Sequence, residues 1–238
     1  MIAGSDALHL AKSLRAQAGE EIVVVDSRGI EHGVVLDTVA ADAVAGLVRW
    51  SRPATGEPRL RVHVLQALPR DGMEIAIDAM VQAGATSIHP VVTERTIARP
   101  DAARASRRLE RWQAVARETA GLAGRGAIPT VAAVTLLEPA ITALPPDADL
   151  VVCAWEAATP LATATVNGAR DIAVVIGPEG GLSARELALL DAANARRLHL
   201  GPRVLRARLA GAMACMLLLS QARDLDGGPQ SAPVAGAD

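Results

Sequence analysis

Aromatic residues are almost absent from this chain of 238 residues. It contains no Phe and no Tyr, and the three tryptophans, Trp50, Trp112 and Trp155, bring the aromatic fraction to only 1%. A folded core must therefore be built from aliphatic side chains. The shortage also disfavours a nucleic-acid-binding module that stacks several bases on aromatic rings.

Cysteines, metal-ligand clusters and long apolar runs are also scarce. Both cysteines, Cys153 and Cys215, lie in apolar runs and are predicted to be reduced core residues of a cytoplasmic protein. No His/Cys cluster has metal-ligand spacing, so no metal is expected. The first 15 residues do not resemble a signal peptide. The longest apolar run, near residues 210–219, is too short to span a membrane, so no membrane partner is predicted.

The net charge is small, but the charges are unevenly distributed. The whole chain carries a formal charge of -2, whereas residues 95–125 hold eight arginines against three acidic residues. A local basic surface can bind phosphates even on a mildly acidic protein. The alternative is an ordinary solvated helix face.

The pattern along the chain predicts two domains and a tail. Residues 1–55 form a small β-rich domain, in which the strands at 20–29 and 30–39 pair. Two prolines, a glycine and several charges make residues 51–59 a linker. Residues 60–225 form the second domain, and the Gly/Pro/Ala-rich tail, residues 226–238, is predicted to be disordered.

Strands and helices alternate throughout the second domain. Buried strands are predicted at 60–68, 87–92, 149–155, 171–177 and 196–201. Helices are predicted at 72–82, at 101–123 with Asp101 as its N-cap, and at 205–225. Nearly uninterrupted apolar strands are typical of a parallel sheet that is buried on both faces. The fold class is therefore α/β, with helices on both faces of a parallel sheet.

The sequence IGPEGGLSARELALL, residues 176–190, carries the most informative motif. A buried strand ends in a glycine-rich loop, and Ser183 with Glu186 forms the S-x-x-E capping box of the next helix. Glycines permit the backbone to approach a ligand closely, so its N–H and C=O groups could bind an adenine or a ribose. Glu179 would repel a pyrophosphate, which favours a cationic ligand such as a sulfonium compound over a dinucleotide. The alternative is a tight strand-to-helix connection without a ligand.

A second strand-to-helix turn follows in LGPRVLRARLAGAMACMLLL, residues 200–219. Gly201 and Pro202 make a rigid turn. Arg203, Arg206 and Arg208 crowd the start of the helix, where the helix dipole disfavours cations. Either they are placed to bind a phosphate or carboxylate, or they are solvent-exposed side chains without a partner.

The two motifs together, IGPEGGLS…E and LGPRVLR, resemble the ribosomal RNA small subunit methyltransferase E family of the SPOUT superfamily. Upstream, VLQALPRDGMEIAIDAMVQAGATSIHPVVTERT and RWQAVARETAGLAGRGAIPTV are similar to further segments of that family. The resemblance implies a parallel-sheet domain with a deep trefoil knot, preceded by a PUA-like β-barrel domain. It also implies a homodimer that uses S-adenosyl-L-methionine (SAM) to methylate N3 of a uridine in the 16S rRNA of the 30S subunit.

Carried onto this sequence, the resemblance predicts three groups of site residues. The catalytic group is Arg206, Glu179 and Arg125. The cofactor-binding group is Ile176, Gly177, Pro178, Gly180, Gly181, Leu200, Gly201, Val204 and Leu205. The RNA-binding group is Arg70, Arg95, Arg125 and Arg203.

Several positions depart from the family pattern. Arg70 replaces a lysine, Gln82 replaces a glutamate, Leu122 stands within a segment that is polar in the family, and Leu209 stands where the family has a hydroxyl. These positions are expected to face RNA rather than SAM.

Three alternatives stay open: a SAM- and RNA-binding protein without catalysis, a 2′-O-ribose methyltransferase of the same superfamily, and a phosphate-binding α/β enzyme.

Overall fold

The computed structural model describes residues 1–98, 102–166 and 168–226. These residues form two compact units, one made of residues 1–57 with 125–127, and the other of the remaining described residues. Residues 227–238, most of the tail predicted to be disordered, lie outside the described residues. None of the described helices combines the length and the apolar character needed to cross a membrane.

The first unit is built on a four-stranded antiparallel sheet. Its strands are β1 (Ile2–Ala3), β2 (Glu21–Val25), β3 (Ile30–Val39) and β4 (Ala43–Pro53), in the spatial order β1-β4-β3-β2. A short helix, α1 (Ser5–Leu8), and a π-helical turn, His9–Ser13, follow β1.

The turn between β2 and β3 is closed by Asp26. Its carboxylate accepts hydrogen bonds from the backbone N–H groups of Ile30 and Arg28, at 3.0 and 2.9 Å, which lowers the pKa of Asp26 well below its usual range. Strand β4 extends further than the sequence indicates. The prediction of a linker from residue 51 is wrong for residues 51–53, because these pair with β3 as far as the register Pro53↔Ile30.

The second unit contains a seven-stranded sheet in which every strand pair is parallel. Its strands are β5 (Arg61–Ala67), β6 (Ser87–Val92), β7 (Thr130–Val131), β8 (Thr135–Leu136), β9 (Asp149–Cys153), β10 (Asp171–Ile176) and β11 (Arg196–Leu198). The order is β11-β9-β10-β5-β6-β7, and β8 also pairs with β6. The predicted parallel sheet is confirmed. The two-residue strands β7 and β8 were not predicted, since two residues give no periodic signal.

Helices cover both faces of this sheet, as predicted. They are α2 (Met73–Gln82), α3 (Ala105–Leu122), α4 (Leu137–Thr142), α5 (Ala184–Ala192) and α6 (Ala207–Gln221), with 3₁₀ turns at Ala102–Arg104 and Leu161–Thr163. Strand β10 divides its side chains between two cores: Ile172, Val174 and Ile176 face α2, α3 and α6, and Ala173 and Val175 face α4 and α5. This alternation is the two-residue period of a strand that is buried on both faces.

Two helix boundaries differ from the prediction. Helix α3 begins at Ala105 after a 3₁₀ turn, and the predicted N-cap Asp101 lies outside the described residues. Helix α6 begins at Ala207 rather than Leu205, because Arg206 has extended backbone angles (φ -65°, ψ 138°). It ends at Gln221, shortly before Arg223, whose φ of 56° is incompatible with a continuing helix.

Candidate functional site

A cavity of about 950 Å³ opens at the carboxyl edge of the parallel sheet. Because parallel strands end at the same edge, the turns after β9, β10 and β11 meet there. All nine residues of the predicted cofactor-binding group line this cavity: Ile176, Gly177, Pro178, Gly180, Gly181, Leu200, Gly201, Val204 and Leu205. Arg206, Glu179, Arg70, Arg95 and Arg203 from the other predicted groups also line it. The sheet thus brings two sequence motifs, which begin at residues 176 and 200, into one site.

The glycine-rich turn after β10 needs its glycines for two physical reasons. Gly181 has a φ of 71°, and its N–H donates a hydrogen bond of 2.8 Å to the Pro178 carbonyl. A Cβ on Gly177 would lie 3.2 Å from the Leu182 Cγ, so any larger residue would crowd the turn. The capping box predicted for the next helix is confirmed, with Glu186 N–H to Ser183 Oγ at 3.2 Å and Ser183 N–H to Glu186 Oε2 at 2.8 Å.

This turn is fastened to its neighbours by polar contacts that the sequence did not indicate. The Glu179 carboxylate accepts the Arg70 backbone N–H, with 3.2 and 3.3 Å to its two oxygens. Arg95 Nη1 donates to the Gly180 carbonyl at 2.9 Å. Glu186 Oε1 accepts the Glu94 backbone N–H at 2.8 Å. Glu179 and Arg95 therefore hold the turn in place, in addition to lining the cavity.

The turn after β11 is held by histidine. His199 donates its backbone N–H to the Thr159 carbonyl at 2.9 Å, and its Nδ1 accepts the Gly201 N–H at 3.0 Å. Because Nδ1 accepts, the neutral ring carries its proton on Nε2. Gly201 has a φ of 102°, a conformation that favours glycine. The histidine thus fixes the entry to the Arg-rich start of α6.

The three arginines at the start of α6 differ in their partners. Arg208 Nη1 pairs with Asp71 Oδ1 at 2.6 Å. Arg203 and Arg206 make no ion pair within the part of the chain that the structure describes, and both are exposed at the cavity. A guanidinium that is accessible and not neutralised by an acid can bind an anion or a developing negative charge.

The end of β9 at Cys153 and the turn that follows it, residues 154–156, complete the cavity and were not predicted from the sequence. Trp155 is 59% exposed there. Burial, with a smaller contribution from Cys215, raises the pKa of the Cys153 thiol to about 12. This thiol therefore stays protonated and is a poor nucleophile at neutral pH. Parallel pairing of β9 with β10, with Cys153 opposite Ile176, places this turn beside the glycine-rich one.

Arg125, predicted to be catalytic and RNA-binding, is not among the residues that line the cavity. It belongs to the first unit, where it is only 6% exposed. Its Nε and Nη2 donate to the two Glu57 carboxylate oxygens at 2.6 and 2.9 Å. The Arg125 guanidinium is therefore engaged by a carboxylate of the same unit.

A chain of polar side chains, buried except for the half-buried His89, lies at the opposite, amino edge of the sheet. Asp171 Oδ1 contacts His63 Nε2 at 2.9 Å, His63 Nδ1 contacts Ser87 Oγ at 2.7 Å, and Ser87 Oγ contacts His89 Nε2 at 2.8 Å. A hydrogen bond from Arg61 lowers the pKa of Asp171 to about 2. Burial lowers the pKa of His89. The described residues contain no group of three or more His, Cys, Asp or Glu side chains that could hold a metal ion.

Comparison with known proteins assigns the family. A family model described as an RNA methyltransferase domain matches residues 56–219. A protein named ribosomal RNA small subunit methyltransferase E, from Mycobacterium bovis, is 33% identical over 221 residues, which cover 90% of this chain and 83% of that protein. The chain belongs to the ribosomal RNA small subunit methyltransferase E family.

Other members of the family agree with this assignment. The protein of the same name from Bacillus subtilis is 27% identical over 95% of this chain and 91% of its own length. A crystal structure of ribosomal RNA small subunit methyltransferase E from Neisseria gonorrhoeae, bound to S-adenosyl methionine, has a TM-score of 0.81 at 24% identity. That alignment covers 90% of this chain and 89% of that one. The last similarity establishes a common fold.

Proposed function

We propose that this protein transfers a methyl group from SAM to N3 of a uridine in the 16S rRNA of the 30S subunit. Its relatives are named as methyltransferases of small-subunit ribosomal RNA, and a neighbour of the same fold was crystallised with S-adenosyl methionine. The observation that carries the proposal is the convergence of three backbone-rich turns on one cavity of about 950 Å³, a volume suited to a cofactor of nucleoside size.

The cavity is chemically suited to SAM. The glycines at 177, 180 and 181 expose backbone N–H and C=O groups that can bind an adenine and a ribose. Two carboxylates, Glu156 and Glu179, also line the cavity and complement a sulfonium cation. When bound, SAM supplies an electrophilic methyl group. The methyl carbon would bond to N3 as its bond to sulfur breaks with the electron pair staying on sulfur, and the N3 proton would pass to solvent water.

Arg206 has the role of stabilising the uracil anion that forms as the N3 proton departs. Its guanidinium is exposed at the cavity and is not neutralised by an ion pair among the described residues. A positive charge beside a developing anion lowers the barrier because it stabilises the charge that forms in the transition state. Glu179 and Arg95 hold the glycine-rich turn through Arg70 and Gly180, so their contribution is to position the cofactor.

The RNA is proposed to approach over the exposed arginines at the cavity mouth, Arg70 and Arg203. The first unit is proposed to be a PUA-like RNA-binding domain of about residues 1–55, attached to a SPOUT domain of about residues 60–225. The deep trefoil knot, the homodimer and the cytoplasmic location belong to the same proposal. Arg125, paired with Glu57, has a structural role in this scheme and no catalytic one.

A second candidate is a SAM- and RNA-binding protein with weak or no turnover. Leu122 and Leu209 favour it, because they are apolar where the family pattern is polar, and Leu122 is 82% exposed. An exposed leucine at an RNA-facing position lacks the hydrogen bonds that would orient the target.

One experiment separates the two candidates. Purified 30S subunits that lack the modification are incubated with the protein and tritiated SAM, and the product is digested to nucleosides and analysed by mass spectrometry. The proposal expects 3-methyluridine at one site. SAM binding in calorimetry without any methyl transfer would favour the second candidate, and methyl on a ribose 2′-oxygen would contradict both.

A further inference from the structure

Helix α3 carries an arginine cluster that does not take part in the cavity. Residues 104–111 contain four arginines, Arg104, Arg107, Arg108 and Arg111, and one acid, Glu110. Positions three and four residues apart lie on the same side of a helix. Arg107 and Arg111, together with Arg108, therefore form one basic stripe along the first two turns, and Arg104 precedes it by one turn.

The side of the helix next to this stripe is fixed in the core. Trp112, Ala116 and Ala120 are buried against the second unit's core, and Thr119 Oγ1 donates to Asp78 Oδ1 at 2.7 Å. Since the helix cannot rotate without exposing these residues, the stripe is held toward solvent. A fixed array of charges binds an extended partner with a smaller loss of conformational freedom than a mobile one.

The stripe is placed where a helix tolerates cations least. The first turn of α3 carries no acidic residue, although the helix dipole there favours negative charge. Arg108 is held over the Trp112 ring at 5.9 Å from its centroid, and Arg111 Nε lies 3.2 Å from Glu74 Oε1 while remaining 72% exposed. The neighbouring acids Glu74 and Glu110 do not neutralise the cluster. An anionic partner would offset the repulsion.

We propose that this stripe, Arg107, Arg108 and Arg111, binds the phosphate backbone of the RNA substrate outside the catalytic cavity. A helix rises about 5.4 Å per turn, close to the spacing of successive phosphates along a strand, so arginines one turn apart can contact neighbouring phosphates. Guanidinium groups bind phosphate through two parallel hydrogen bonds. Contacts of this kind position RNA without reading its sequence. The inference rests on the proposed function, because it takes RNA as the substrate.

The test measures the affinity for unmodified 30S subunits over a range of salt concentrations. The variant is Arg107→Gln with Arg111→Gln; Arg108 is kept because it contacts Trp112. Each lost phosphate contact lowers the salt slope by about 0.7 to 0.9, so the double variant should lose about 1.5 units of slope and about ten- to fortyfold in affinity at ~0.1 M salt. The corresponding Lys variant should keep most of the slope, since it keeps the charge.

The matched control removes two charges elsewhere. Arg117 is exposed on α3 outside the stripe, and Arg170 is exposed at the amino edge of the sheet. Arg117→Gln with Arg170→Gln should leave the salt slope unchanged. If the Arg107/Arg111 double variant binds 30S subunits with the wild-type salt slope and affinity, the inference is overturned. The proposed methyl transfer would not be affected by that result. An equal loss in both double variants would also overturn the inference, because net charge alone would then explain the effect. No methylation by the wild-type protein would instead count against the proposed function.

Discussion

The Nη1 atom of Arg95 donates a hydrogen bond of 2.9 Å to the carbonyl oxygen of Gly180. The two residues lie at the ends of different strands, one after β6 and the other after β10, and β5 separates these strands in the sheet. A Cβ added to Gly180 would lie 3.4 Å from the Arg95 Cβ, so the arginine also packs against the turn. Arg95 was predicted to bind RNA, and that role stays a prediction. Its contact with Gly180 gives it a second role in shaping the cavity.

Replacing Arg95 by methionine should weaken SAM binding. The substitution removes the hydrogen bond to the Gly180 carbonyl but keeps much of the apolar stem, so the turn is loosened rather than unfolded. Loss of one charge-assisted hydrogen bond corresponds to about a tenfold rise in the dissociation constant. Isothermal titration calorimetry measures it, with Arg185→Met as the control because Arg185 is exposed on α5. An unchanged affinity for SAM would rule out the positioning role of Arg95.

Arg206→Ala should abolish methyl transfer and spare SAM binding. The variant removes the charge proposed to stabilise the uracil anion, and the loss of one such group costs about 100- to 1000-fold in rate. Single-turnover methylation of 30S subunits measures the rate, and calorimetry measures SAM affinity. Arg206→Lys should recover part of the rate, since it keeps the charge without the planar fork. Undiminished transfer by the alanine variant would remove Arg206 from the mechanism.

Trp155 should report cofactor binding by its fluorescence. Its indole is 59% exposed at the cavity, whereas Trp112 is buried in the core and Trp50 lies in the first unit. SAM entering the cavity should displace water from the indole and shift its emission to shorter wavelength. Trp155→Leu should lose this response and retain the emission of the other two tryptophans. A response of wild-type size in that variant would mean that the ligand binds elsewhere.

The ionisation of Asp171 should make the free energy of unfolding depend on pH in the acid range. A hydrogen bond from Arg61 lowers the pKa of Asp171 to about 2 in the folded state, below the value of about 3.9 in an unfolded chain. Its stabilising contribution is therefore present above pH ~4 and is lost as the pH falls toward 2. Asp171→Asn should lower the free energy of unfolding by at least about 2 kcal/mol at pH 7.

Urea unfolding at several pH values tests this prediction. The difference in the free energy of unfolding between wild type and Asp171→Asn should shrink as the pH falls from ~4 to 2. A difference that stays constant over this interval would show that the ionisation of Asp171 does not stabilise the fold.

Gly211→Ala should destabilise the second unit. A Cβ at this position of α6 would lie 2.7 Å from Met80 Sδ and 2.8 Å from Gln66 Oε1, so the packing against β5 and α2 must shift. Overpacking of this kind costs about 1–3 kcal/mol. Gly121→Ala on α3 is the matched control, because nothing lies within 4 Å of its added Cβ, and it should stabilise the helix by about 0.5–1 kcal/mol. Similar effects of the two substitutions on urea unfolding would contradict this account.

The sequence by itself determined the local features of this protein. The buried strands, the glycine-rich turn with its Ser183–Glu186 capping box and the Gly201 turn all arise from residues that are close in the chain, so periodicity and capping rules predict them. The same motifs were specific enough to identify the family.

Tertiary structure decided which distant residues meet. Strand order placed Trp155 and Cys153 at the cavity and Arg95 on Gly180, and it joined Asp171 to His63 and Ser87. It also placed Arg125 in the first unit with Glu57. These contacts join residues up to 108 positions apart, and such separations leave no periodic signal in the sequence because only the packed sheet brings the side chains together.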